Sequence, residues 1–167
     1  MIEALIASEA EFDDIIELFY QIDLHYFAGE APSKEEISEY VRRNLFRNHC
    51  GVQVVIAKES GKPLGIATFA ILYPAPNMTG QLFMKDLFTV REARGKGVGQ
   101  VLMRFLAQHA LEKGCNRFDW TAETTNPKAL EFYDHLDCPR VEEKVYYRLT
   151  DEKLRSFAAG SASDSLG

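Results

Sequence analysis

The stretch that decides the reading of this chain runs Val90-Arg91-Glu92-Ala93-Arg94-Gly95-Lys96-Gly97-Val98-Gly99. It follows an apolar run, Leu82 to Val90, and opens straight into a helical pattern. Gly95, Gly97 and Gly99 remove three Cβ atoms where a strand hands over to a helix, so several backbone N–H groups can converge on one concavity. Arg91, Arg94 and Lys96 surround it with positive charge. The first-turn N–H groups of the following helix have no intrahelical partner and lie at the positive end of its dipole. Together these features predict a place for phosphate.

Outward from that turn, the apolar spacing describes a βαβ unit. Val98, Val101, Leu102, Phe105, Leu106 and Ala110 recur at helical spacing as far as Gly114, after which Asn116 to Ala122 reads as strand. Such a crossover makes the strands at 81–90 and 116–122 parallel and sets the glycine turn at the carboxyl end of the first, where ligands of α/β sheets bind. Upstream, Val52 to Lys58 and Leu64 to Tyr73 form an antiparallel hairpin around the turn Glu59 to Lys62. The loop Pro74 to Gly80 joins it to the strand Gln81 to Val90.

Nearer the N-terminus, Glu3 to Ala7 is a short strand, and Ser8 with Glu11 makes a capping box before Phe12, Ile15, Ile16, Phe19 and Tyr20 at helical spacing. That helix is expected to end between His25 and Gly29, and Ser33 with Glu36 caps a second one carrying Ile37, Tyr40, Val41 and Leu45. The connection, with Asp23, His25, Tyr26, Phe27 and Glu30, reads either as an aromatic and acidic pocket lining or as a partly buried corner between helices. Downstream, Asn126 is an N-cap and Pro127 the first residue of a helix through Tyr133. Val141 to Leu149 is expected to close the sheet and Asp151 to Phe157 to add a helical turn.

A chain of 167 residues with 46% hydrophobic content can bury a full core, so one domain is expected over residues 1–156, with 157–167 as a flexible tail. The apolar runs are too short to span a membrane, and Met1 leads to Glu3 and Glu9 without a signal-like segment, so the expected compartment is the cytoplasm. Cys50, Cys115 and Cys138 have no metal or disulfide spacing and read as packed thiols. Residues 1–60 hold 5 Lys and Arg against 12 Asp and Glu, a net of −7, whereas the remainder carries a net of +1. An acidic third beside a local basic turn argues against nucleic acid, which needs a broad basic face. It suits a cationic substrate meeting an anionic cofactor, and equally a face that only keeps the protein soluble.

Arg94-x-x-Gly97-x-Gly99 after an apolar strand, followed downstream by Asn126-x-x-Ala129-x-x-Phe132-Tyr133, resembles the GNAT superfamily of acetyl-CoA-dependent N-acetyltransferases over residues 1–150. Met84-Lys85-Asp86-Leu87-Phe88 and Phe118-Asp119-Trp120 are similar to the branch containing diamine (spermidine/spermine and thialysine) acetyltransferases. The resemblance implies an α/β (α+β) fold: a mixed, mostly antiparallel sheet of six to seven strands, a parallel pair at the cofactor cleft and about four helices. It implies acetyl-CoA as co-substrate without a metal, a small-molecule amine as acceptor, no nucleic acid or membrane partner, and a homodimer. Backbone groups of Leu87, Phe88 and Thr89 would hold the thioester carbonyl and pantetheine, the latter like a strand added to an opened sheet edge. Arg94, Gly95, Lys96, Gly97, Val98, Gly99 and Gln100 would hold the pyrophosphate. Asn126 and Ala129 would touch the cofactor again, and Tyr133 would face its sulfur.

The chemistry asks for an acid, a base and an oxyanion donor. An alkylamine with a pKa of about 10.4 must lose a proton before it attacks. The amide near Phe88 would stabilise the oxyanion and Tyr133 would protonate the leaving thiolate, unless Tyr133 only packs its helix. Lys85 stands where the diamine enzymes carry glutamate, and a lysine does that task only with a strongly depressed pKa, which weakens a polyamine assignment. Asp86 is expected on the opposite face by strand alternation. Asp86, Glu123, Glu30 and a water chain therefore all stay open as the route for the proton, with Tyr26, Phe27 and Glu30 as substrate contacts. Thr89 replaces an aliphatic residue, Asp137 a glycine, and Trp120 reads as core or dimer packing. A chain of this fold that binds acyl-CoA as a sensor or assembly module is the alternative. A different nucleotide lacks a Walker or Rossmann pattern to hold it.

Overall fold

The structure is a computed structural model describing residues 1–27, 31–48 and 50–160. Two compact units divide it, Met1–Leu130 and Glu131–Gly167. The first holds β1 (Ile2–Ile6), α1 (Phe12–Phe27), α2 (Lys34–Asn44), β2 (Val52–Glu59), β3 (Lys62–Ala75), β4 (Thr79–Thr89), α3 (Val98–Glu112) and β5 (Cys115–Trp120). α4 (Pro127–His135) begins there and runs into the second unit, which also carries α5 (Asp151–Ala158). The five strands lie in chain order, antiparallel from β1 to β4, with β5 parallel to β4. Among the described residues no helix is long and apolar enough to cross a membrane.

Local chemistry sets the helix starts. The Ser8 amide and hydroxyl both donate to Glu11 Oε2, at 2.9 and 2.8 Å, while the Ala10 amide donates to the Ser8 hydroxyl. Ser33 and Glu36 repeat the device, the Glu36 amide donating to Ser33 Oγ and the Ser33 amide to Glu36 Oε2. These bonds hold the Glu11 and Glu36 carboxyls below the usual carboxylate range. α1 buries Ile15 and Leu18, α2 buries Ile37 and Val41, and the Phe12 ring meets Phe46 edge-on at 5.7 Å with the Arg42 guanidinium over it.

α3 buries Val98, Leu102, Met103, Leu106 and Ala110. Its close approach depends on Gly65 of β3, where a Cβ would lie 2.7 Å from Val98 Cγ1 and 2.8 Å from the Phe88 carbonyl oxygen. Gly65, Ala67 and Phe69 therefore face α3, and the Phe69 ring meets His109 of α3 at 5.4 Å. Ile66 and Thr68 face the opposite way.

Two expectations change. Asp23 to Phe27 are the last turns of α1 rather than a connecting loop, since the helical spacing of Phe19, Ile22 and Tyr26 continues through them. Val141 to Leu149 is not a strand: every residue in it is exposed and has no ladder partner among the described residues, so the sheet has five strands. Its β-branched and aromatic composition suits a pleated surface, but a strand also needs a neighbour to pair with. Within the second unit, Asp137 adopts a left-handed φ of 55°, as expected of the residue closing α4. There the amides of Leu136 and Cys138 donate to the Tyr133 carbonyl.

Candidate active site

The site begins with a defect in β4. Met84 lies opposite Phe69 and Asp86 opposite Thr68, so Lys85 has no partner on β3 and forms a bulge. Pairing with β5 also ends here, at Met84 and Trp120. Directly opposite residues share a face, so Met84 joins Phe69 on the α3 side whereas Asp86 joins Thr68 and Phe88 on the other. The Phe88 ring lies 6.2 Å from His25 near the end of α1. The extra residue also corrects the expected opposition of Lys85 and Asp86. The Lys85 ammonium lies 3.2 Å from Asp86 Oδ1 and 3.4 Å from Oδ2.

Beyond the bulge, β4 is paired on one edge only. The Val90 amide donates to the Leu64 carbonyl, and in an antiparallel ladder alternate residues turn their polar groups to the partner. Phe88 and Asp86 therefore bond β3, while Leu87 and Thr89 turn their amides and carbonyls to the side that β5 has left. In this register the Phe88 amide is directed to β3, opposite Ile66. The Thr89 carbonyl accepts from Arg94 Nε at 3.4 Å.

The glycine turn follows immediately. Gly95 and Gly97 have φ of 76° and 82°, and a Cβ on either would meet no protein atom within 4 Å. Glycine is needed here for the left-handed backbone, and the space beside it is open. Gly99 lies inside α3 and is not left-handed. The α3 ladder begins with the Val101 amide on the Gly97 carbonyl, which leaves the Val98, Gly99 and Gln100 amides as the unpaired first turn. Arg91, Arg94 and Lys96 are exposed around them.

Asp86 is oriented from beneath. Thr68, 4% exposed and the single buried polar residue among those described, donates its hydroxyl to Asp86 Oδ2 at 2.5 Å. Sequence reasoning passed over Thr68, although a lone hydroxyl within Ile66-Ala67-Thr68-Phe69 was the available signal. A second polar set on β4 and β5 was also missed: Gln81 Nε2 donates to Asp119 Oδ2 at 2.8 Å and Arg117 to the same oxygen at 2.7 Å. Tyr26 and Phe27 project from the end of α1 with 62% and 59% of their surface exposed. Burial raises the Asp23 carboxyl above its usual range. Glu30 lies outside the described residues.

The Asn126 side chain accepts from the Ala129 amide at 3.2 Å, as an N-cap does, and the Asn126 amide donates to the Glu123 carbonyl at 2.9 Å. Tyr133 lies on the part of α4 within the second unit, its ring 5.2 Å from Phe132. The structure thus brings together Lys85, Asp86, Thr68, Phe88 and His25 at the bulge, and Thr89 with Arg94 beside the glycine turn.

Residues 15–137 match the model of the acetyltransferase (GNAT) family. A thialysine N-epsilon-acetyltransferase of Sus scrofa is 28% identical over 119 residues, covering 66% of this chain and 68% of that protein. The solved structure of an integron cassette protein from the mobile metagenome of V. cholerae superposes with a TM-score of 0.89 at 39% identity, over 94% of this chain and 97% of the other. An aminoglycoside N-acetyltransferase in complex with CoA shares the fold, with a TM-score of 0.70 at 16% identity over 89% and 95% of the two chains.

Proposed function

Since this chain belongs to the acetyltransferase (GNAT) family, its match covering residues 15–137, we propose that it transfers the acetyl group of acetyl-CoA directly to the primary amine of a small molecule. The observation that carries this reading is the parting of β4 from β5 at the Lys85 bulge, immediately before the left-handed glycine turn. The residues suit an elongated anionic co-substrate: a one-sided strand edge for an amide-bearing arm, then unpaired helix amides and open space for its phosphates. Acetyl-CoA supplies the activated thioester carbonyl.

This chain's own groups do the rest. Leu87 and Thr89 offer main-chain pairing, and the Arg94 bond to the Thr89 carbonyl braces that edge against the turn. The Leu87 amide is placed to meet negative charge developing on the carbonyl oxygen. Val98, Gly99 and Gln100 bind phosphate through their amides, with Arg94 and Lys96 adding charge. Asp86, held by Thr68, accepts the proton that the ammonium of the acceptor must lose. Asn126 with Ala129 completes the cofactor contacts.

The test is release of free thiol from acetyl-CoA with a panel of amino acids, polyamines and amino sugars. Amine-dependent release establishes the reading, and absence of both turnover and acetyl-CoA binding overturns it. A second reading rests on the Lys85 ammonium over Asp86, which occupies the carboxylate proposed as base. An acyl-CoA sensor of the same fold would bind acetyl-CoA and turn over no amine.

A further inference from the structure

We propose that Lys85 selects the acceptor by charge, so that the preferred substrate is a primary amine carrying a carboxylate on the same molecule, rather than a polyamine. The inference rests on the acetyltransferase reading and concerns the acceptor side of the same site. Three observations converge on it. The bulge frees Lys85 from the β3 ladder and brings its ammonium over the face that holds Asp86, Thr68 and Phe88. The Lys85 side chain is 77% exposed and so remains able to move, whereas Asp86 is 35% exposed and pinned through Oδ2 by Thr68. The pair carries no net charge.

These facts decide which acceptor gains from the site. An incoming ammonium must displace the Lys85 ammonium from Asp86, leaving that lysine without its partner. A second cation on the acceptor would then meet it and be repelled, as like charges in contact are. A carboxylate on the acceptor turns this cost into attraction. Its ammonium takes Asp86, its carboxylate takes Lys85, and each charge of the original pair is matched.

The test compares amines that differ only by the carboxylate, lysine against cadaverine and ornithine against putrescine, in steady-state kinetics at saturating acetyl-CoA. The carboxylated member of each pair is expected to have a kcat/KM about tenfold higher or more, with the difference in KM, equivalent to about 1.4 kcal/mol. Lys85→Gln should erase the preference and Lys85→Glu should reverse it, with the acetyl-CoA dissociation constant and melting temperature unchanged. As a readout apart from turnover, calorimetric binding of the N-acetylated amino acid product should weaken in Lys85→Gln. Equal or preferred turnover of the diamines by the unaltered protein overturns this inference alone, as does a preference that Lys85→Glu leaves intact. Failure of every amine while acetyl-CoA still binds overturns both it and the transfer reading.

Discussion

Thr68 sits between Ala67 and Phe69 on a strand otherwise packed with apolar side chains, and its hydroxyl is directed at Asp86. Thr68→Val keeps the shape and removes the donor. Because Asp86 is partly exposed, water can replace the lost bond, so stability should fall by only about 1 kcal/mol in denaturant titrations. Amine-dependent turnover should fall while acetyl-CoA affinity holds, and Thr68→Ser should restore it; unchanged turnover would remove Thr68 as a positioning residue. His109 presents the opposite case, a buried Nε2 without a partner among the described residues, between the Phe69 and Phe105 rings. Burial, aided by Lys113 and opposed by Glu112, holds its imidazole below the ordinary value. The unfolded chain therefore takes up a proton first as pH falls through about 6.5, and stability declines from there until pH passes below the folded value. His109→Leu should flatten that acid-side decline in thermal melts, and an identical pH profile would show the loss to lie elsewhere. Neither role was legible from composition. A hydroxyl or imidazole at an apolar position declares its purpose only when the opposite residue is known.

The elements divide by whether their cause is local. Both capping boxes lie within four consecutive residues, and the α3 spacing announces its own buried face, so these were readable directly. The bulge was not. It is a relation between β4 and β3, and no property of Met84-Lys85-Asp86 alone states that one residue is skipped. Val141 to Leu149 failed as a strand for the same reason, since its composition describes only one side of a pairing. The glycine turn was legible as a turn between strand and helix, whereas the left-handed backbone of Gly95 and Gly97 and the helical place of Gly99 came only with the structure. At Gly97, the N-cap of α3, substitution by alanine meets no protein atom and so should cost only the backbone strain, about 1–2 kcal/mol. Acetyl-CoA affinity, measured by calorimetry, should fall in addition, because a methyl group enters the space assigned to phosphate. Unchanged affinity would remove the turn from the binding site.

At the scale of the molecule, the βαβ unit and the antiparallel meander were legible because apolar periodicity repeats along each segment, while the contact of α3 with the sheet rests on Gly65, which periodicity passes over. Gly65→Ala should destabilise by about 1–3 kcal/mol, since the added carbon must displace both Val98 and the Phe88 carbonyl. Denaturant midpoints measure this, and a loss of activity larger than the loss of folded protein would show the displacement reaching β4. The one-sided edge of β4 has a further consequence, in the exchange of amide hydrogens with solvent deuterium. In the ligand-free protein the Leu87 and Thr89 amides should exchange rapidly and the Phe88 amide slowly, three neighbouring residues on one strand differing only in which edge they serve. Saturation with acetyl-CoA should slow the first two and leave the third as it was, making the alternation of a single strand a direct reporter of occupancy.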